Sequence, residues 1–228
     1  GSLSKPLKVS PSYIAKLRTT RFDFSKQRAQ QDPTPQSDYG ASLPWRQWLR
    51  QYAKNATESE FSHHQIRAWE WFENLTEGVK PPALVECWPR GHGKSTTVEL
   101  AAARLVCKGS RRFVLYVSCT QEAANRHVGS IASVLERAGM ERSVSRYGHS
   151  RGWNQQVLRA ANGCNVLAFG LDAGARGVKL EDVRPDLIIL DDIDELGDSP
   201  EVAKKRGDII TQTVLRAGSN DCAVVFVQ

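Results

Sequence analysis

The stretch Val85–Thr97, VECWPRGHGKSTT, sets two glycines ahead of a lysine and a serine and follows a short apolar run. Glycine lets a backbone curl until successive N–H groups point into one concavity, and a helix opening behind it adds its positive N-terminal end. That combination is a cradle for phosphate. On this reading Gly91, His92 and Gly93 form the curl, Lys94 reaches the β and γ phosphates, Ser95 offers its hydroxyl to Mg²⁺, and Thr96 completes the cradle. The pattern G-x-x-x-x-G-K-[ST] wants glycine where this chain has Trp88, a departure that the rest of the chain must accommodate.

A second stretch, RPDLIILDDIDE, carries the complementary chemistry. Four apolar residues, Leu187–Leu190, describe a buried strand that delivers Asp191 and Asp192 to its tip. Asp191 is placed to hold Mg²⁺, mostly through water, because a hard cation takes oxygen ligands. Asp192 is placed to orient and deprotonate an attacking water. Glu86 stands in the first strand, where an ion pair near the nucleotide is the one role the sequence offers it.

These residues need a frame. β-like runs cover residues 83–88, 112–118, 164–170, 187–191 and 222–227, separated mostly by helical segments or loops. Thr120 can cap QEAANRHVGSIASVLERAG, which lines Ala124, Val128, Ile131 and Leu135 along one face and ends at Gly139; Ser199-Pro200-Glu201 opens a helix that stops at Gly218. Asn162-Gly163 between apolar runs marks a hairpin. The resulting order implies a mainly parallel sheet covered by helices, and with the glycine-lysine loop between a strand and a helix this reads as an α/β fold of the P-loop NTPase type. Strand tips of such a sheet share one edge, which is where the glycine loop and the acid pair would meet.

Upstream, residues 3–42 are rich in Pro, Gln and charge and read as a basic arm, and LPWRQWLRQYAK places Trp45, Trp48, Leu49 and Tyr52 at helical spacing with Pro44 in the first turn. We divide the chain into a tag remnant (1–2), the basic arm and docking helix (3–60) and the nucleotide domain (61–228). The formal charge is +6, and residues 1–60 hold 10 Lys/Arg against 5 Asp/Glu while residues 61–228 hold 21 against 20. The basic excess therefore belongs to the arm. No apolar run approaches the roughly 20 residues of a membrane span. The five cysteines are an odd, scattered set with no C-x-x-C pair, which argues for reduced thiols and against zinc or a disulfide framework. His63-His64 lacks ligand partners at zinc spacing and reads as a helix start opened by Ser62.

With both motifs in view, Gln65–Gln228 resembles the ATPase domain of the large terminase subunit, the motor that drives DNA into the heads of tailed bacteriophages. PRGHGKST is similar to that family's first motif, which often lacks the leading glycine and carries an arginine four residues before the lysine, here Arg90. FVLYVSCTQEAANRHVGSI resembles the strand and helix that follow, and GLDAGARGVKLEDVRPDLIILDD resembles the glycine-arginine element leading to the second motif.

The resemblance implies ATP and Mg²⁺ as cofactors and double-stranded DNA as substrate. It also implies a homo-oligomeric ring on a portal, a small terminase subunit as partner, and action at the procapsid in the bacterial host cytoplasm. Arg90 is implied as a γ-phosphate sensor or transition-state stabiliser, and Arg176 as a finger reaching a neighbouring subunit's site. Gln65 matches the adenine-reading glutamine, while Ser62-x-x-Gln65 is equally a capping box. Many relatives carry Asp-Glu in the second motif, so the base is Asp192 or Glu195. CAVVFVQ resembles the start of the motif coupling hydrolysis to movement; the family's nuclease domain is not among these residues, and DNA cleavage is not expected. Two other readings share the motifs: a helicase-like translocase, and a nucleotide-binding assembly module with little turnover.

Overall fold

The computed structural model describes residues 38–172, 183–194 and 197–228, so Arg176 and Glu195 lie outside the described residues. Six strands form one sheet: β1 (Leu84–Glu86), β2 (Phe113–Ser118), β3 (Val157–Arg159), β4 (Asn165–Gly170), β5 (Leu187–Asp191) and β6 (Ala223–Val227), in the spatial order β1-β6-β5-β2-β4-β3. Every pairing is parallel except that of β3 with β4, which the Asn162-Gly163 turn joins as an antiparallel hairpin. β6, last in the chain, sits between β1 and β5. Because these three run the same way, the loop after β1 and the acids at the end of β5 emerge at the same edge.

Strand parity divides the core. Leu187 and Ile189 join Val114 and Tyr116 on one face, whereas Ile188 and Leu190 join Leu115 and Val117 on the other. Side chains alternate along a strand, so Asp191 shares the face of Leu187 and Ile189. That face is covered by α1 (Trp45–Tyr52), α2 (His63–Glu73), α3 (Lys94–Lys108) and α4 (Gln121–Arg137). α5 (Pro200–Ile209) continues through a π-turn (Ile210–Val214) into a last turn (Leu215–Ala217), and Ile210 and Val214 from the π-turn cover the opposite face.

The helix ends follow their local chemistry. Ser62 and Gln65 close a reciprocal capping box, Thr120 accepts from the Ala123 amide, and Ser199 accepts from the Val202 amide. Gly139, at φ 76°, ends α4 with its amide on Glu136 O and that of Met140 on Leu135 O, which satisfies carbonyls the helix leaves open. Pro44 proves to be the N-cap of α1, one position before the first turn, with an extended ψ of 143°. The π-turn in the last helical run has no signature in the sequence.

α1 is held in the main core. Trp48 and Leu49 are buried against it, Trp45 stacks on Trp69 with ring centroids 5.0 Å apart, and Arg104 of α3 donates to Gly40 O and Leu43 O while pairing with Glu73 at 2.9 Å. Four of the five cysteines are buried, Cys87 is exposed, and all five are free thiols. Burial pushes the Cys107, Cys164 and Cys222 thiols up to about 12, so they pack as small hydrophobes.

Candidate active site at the sheet edge

The loop between β1 and α3 turns on two glycines with left-handed backbones, Gly91 at φ 82° and Gly93 at φ 72°, a region that L side chains rarely occupy. A turn closes between Pro89 O and the His92 amide, and Gly93 then serves as N-cap of α3, so Lys94 and Ser95 begin the helix. Thr97 sends its hydroxyl back to Gly93 O at 2.8 Å and locks that start. The result is a curled backbone feeding a long helix N-terminus, the shape that favours anions.

Trp88 takes the place of the motif's glycine because it is used as an anchor. It is buried, its indole N–H donates to Glu86 Oε2 at 2.6 Å, and its backbone amide donates to Gln228 O beyond the end of β6. Arg67 of α2 donates to both oxygens of Glu86 at 3.2 Å. Glu86 therefore finds its ion pair in the helix beneath the loop, and the Arg67–Glu86–Trp88 chain ties α2 to the strand end.

The Gln65 side chain engages two residues, Ser62 and His92. Its Oε1 accepts from the Ser62 amide at 2.9 Å to complete the capping box, and its Nε2 donates to His92 O at 3.4 Å. It also lines Gly93, where an added Cβ would stand 3.4 Å from Nε2. Arg90, His92 and Thr96 are exposed beside the loop, and no ion pair engages Arg90 among the described residues.

The acids arrive from β5. Asp191 is fully buried and accepts from Ser95 Oγ at 3.2 Å through Oδ1 and from Tyr116 Oη at 2.6 Å through Oδ2. Burial raises the Asp191 carboxyl above the usual range; the Tyr116 bond, the nearby His127 and the Ser95 bond oppose that rise. Asp192 sits at φ 44°, a left-handed conformation that costs a non-glycine residue on the order of 1–3 kcal/mol. Its backbone is pinned there by the Val227 carbonyl and the Cys119 amide. Its half-exposed carboxylate lies 3.5 Å from Lys94 Nζ.

Behind Asp191 stand three residues that motif reading missed. His127 Nε2 lies 3.8 Å from Asp191 Oδ2, and its Nδ1 lies 2.6 Å from Glu99 Oε1 on α3. A carboxylate only accepts, so Nδ1 carries the hydrogen. Burial works against the His127 cation, yet the Glu99 hydrogen bond and the Asp191 charge prevail and raise its pKa. Burial first, then Asp191 and Glu99, hold the Tyr116 hydroxyl far above its ordinary value and keep it a donor. One signal was available: His127 lies beside the apolar stripe of α4, and Tyr116 is the polar-tipped residue of an otherwise aliphatic FVLYV run.

The donor set suits a hard cation. Ser95 Oγ and Asp191 Oδ1 are hydroxyl and carboxylate oxygens of the kind that could hold such a cation, and Mg²⁺ bound there would draw its other ligands from water and phosphate. Among the described residues no group of three or more His, Cys, Asp or Glu could hold a metal by itself.

A mainly parallel sheet with helices on both faces, a glycine-curled loop after one strand and an acid pair at the tip of another define an α/β fold of the P-loop NTPase class. No protein-family model and no curated protein matches the chain. Among the solved structures similar to it are large terminases of phages. One is the large terminase of a thermophilic bacteriophage in complex with ATP-gamma-S, 13% identical with a TM-score of 0.47, the match covering 74% of this chain and 38% of that one. Another is the large terminase ATPase domain of Thermus phage P74-26, 12% identical with a TM-score of 0.45, covering 80% of this chain and 68% of that one. The chain thus spans well under half the length of the first of these proteins.

Proposed function

We propose that this chain is a magnesium-dependent ATPase, the motor domain of a large terminase that drives double-stranded DNA into a viral procapsid. The observation that carries the ATPase reading is the meeting of Lys94 and Ser95 with Asp192 and Asp191, at 3.5 and 3.2 Å, at one edge of the sheet. The packaging role rests on the sequence resemblance.

In this reading the Gly91–Thr96 backbone binds the phosphates, and Lys94 leaves Asp192 for the β and γ oxygens. Asp192, released, accepts the proton of a water lined up on the γ-phosphorus. Ser95 and Asp191 would hold Mg²⁺, which supplies charge neutralisation across the β and γ oxygens when bound. Gln65, beside the loop at the capped start of α2, is proposed to read the base of the nucleotide, and the exposed Arg90 to approach the γ-phosphate. Arg176, outside the described residues, is proposed as a finger acting on a neighbour's site in a ring; a finger of this kind contributes on the order of 10³–10⁵ in rate. DNA contact is proposed for the basic arm and for Arg142, Arg146 and Arg151, all exposed on the segment between α4 and β3. The small subunit, the portal and a site of action in the bacterial cytoplasm belong to the same proposal.

A nucleotide-binding module with little turnover is the second reading, favoured by the engagement of Asp192 with Lys94. Phosphate release and ATP-gamma-S binding separate the two. The parent chain should release phosphate, at a rate rising with protein concentration and with double-stranded DNA. Lys94→Ala should lose binding or turnover, and Asp192→Asn should keep binding and lose turnover. Hydrolysis by Asp192→Asn at the parent rate would remove Asp192 as the base.

A further inference from the structure

We propose that Tyr116, His127 and Glu99 act as positioning residues that turn one oxygen of Asp191 inward and present the other to the metal. The inference rests on the reading of Asp191 and Ser95 as the magnesium site. A carboxylate on a strand tip can rotate about its last bond, and its two oxygens are chemically alike until the surroundings distinguish them. Here they are distinguished. Oδ2 accepts from Tyr116 Oη at 2.6 Å and faces His127 Nε2 at 3.8 Å, whereas Oδ1 accepts from the Ser95 hydroxyl at 3.2 Å.

His127 is itself fixed on two sides. Its Nδ1 is held by Glu99 Oε1 at 2.6 Å, and its ring stacks on Tyr116 with centroids 5.0 Å apart and planes 22° apart. Glu99 lies four positions after Ser95, so the two share a face of α3. That one helix therefore reaches Asp191 twice, directly through Ser95 at the loop side and through Glu99 and His127 at the core side. The arrangement spans α3, α4, β2 and β5. Partners of this kind behind a metal ligand are typically worth about 10–100-fold in metal affinity.

The test is the magnesium dependence of ATP-gamma-S binding, measured by calorimetry on the whole chain, with the metal-free affinity measured in chelator. Tyr116→Phe and His127→Ala should each raise the Mg²⁺ concentration for half-maximal binding by about tenfold or more, leaving metal-free affinity at the parent level. His127→Gln, which keeps a polar side chain beside Oδ2, should recover part of the loss, and Glu99→Gln should fall between. Thermal unfolding identifies any variant that does not fold; Tyr116→Phe, which keeps its ring, and His127→Gln then decide. Parent-like magnesium dependence in Tyr116→Phe and His127→Ala overturns the inference, provided that Asp191→Asn abolishes the magnesium effect. If Asp191→Asn leaves that effect intact, the metal site itself is misassigned and both readings fall together.

Discussion

Ser95 Oγ and Asp191 Oδ1 lie 3.2 Å apart although 96 positions separate them in the chain. The hydroxyl begins the helix behind the glycine loop, the carboxylate ends a strand two places away in the sheet, and strand parity turns that carboxylate toward the helix. The relationship is the hinge of the site, since every chemical role assigned above depends on those two parts sharing one edge.

The ion pair between Lys94 and Asp192 sets two opposing expectations for one substitution. Asp192→Asn removes a partner that competes with phosphate for Lys94, so ATP-gamma-S affinity should rise by up to about fivefold, the worth of a half-exposed pair. Loss of the base should meanwhile lower phosphate release by about 10²–10⁴. Calorimetry and a steady-state phosphate assay on the same preparation check both.

Trp88→Gly restores the residue that the phosphate-loop pattern prefers, and it should harm the protein. The indole is buried and its N–H satisfies Glu86, so the variant opens a cavity and takes a donor from a buried carboxylate. A loss of about 3–5 kcal/mol by denaturant unfolding is expected, with no gain in nucleotide affinity. An unchanged unfolding midpoint would show that the anchor is dispensable.

Gly170 ends β4 against the start of α4. A Cβ there would stand 2.1 Å from the Gln121 amide nitrogen and 2.4 Å from its Cα, both backbone atoms that cannot swing aside. Gly170→Ala should cost stability at the upper end of the roughly 1–3 kcal/mol range for overpacking, read as a lower unfolding midpoint.

Glu73 gives the protein an acid-sensitive tie. Burial pushes its carboxyl up, but the hydrogen bonds and charges of Arg104 and Lys108 overcome it and hold the carboxyl below the ordinary glutamate value. A depressed carboxylate contributes stability that is complete above its unfolded value and is lost as pH falls through the lower folded one. Glu73→Gln should flatten that limb of the stability-pH curve. It should also cost about 1.5–3 kcal/mol at neutral pH, because the buried Arg104 loses its carboxylate.

Much of this architecture is written in short-range pattern. The caps at Ser62, Thr120 and Ser199, the Asn162-Gly163 turn, the apolar run of β5 and the glycine pair ahead of Lys94 each need only neighbours within a few residues, so the chain declares them locally. Gln65 shows where local reading runs out. Its capping box is visible in Ser62-x-x-Gln65, while the reach of its amide to His92 O requires the loop to fold over α2. Trp88 looks like a defect in a motif until Glu86 and Arg67 appear around it.

The sequence by itself determined the segments and their chemistry: a loop able to bind phosphate, a strand ending in two acids, and a mainly parallel α/β order to carry them. Tertiary structure decided which oxygen of Asp191 faces Ser95, that Tyr116 and His127 stand behind it, and that Asp192 meets Lys94. Those contacts depend on β6 entering between β1 and β5 and on the packing of α3 and α4 over one face of the sheet. Periodicity and caps act between near neighbours, whereas these distances are set by strand order and parity, which no local pattern encodes.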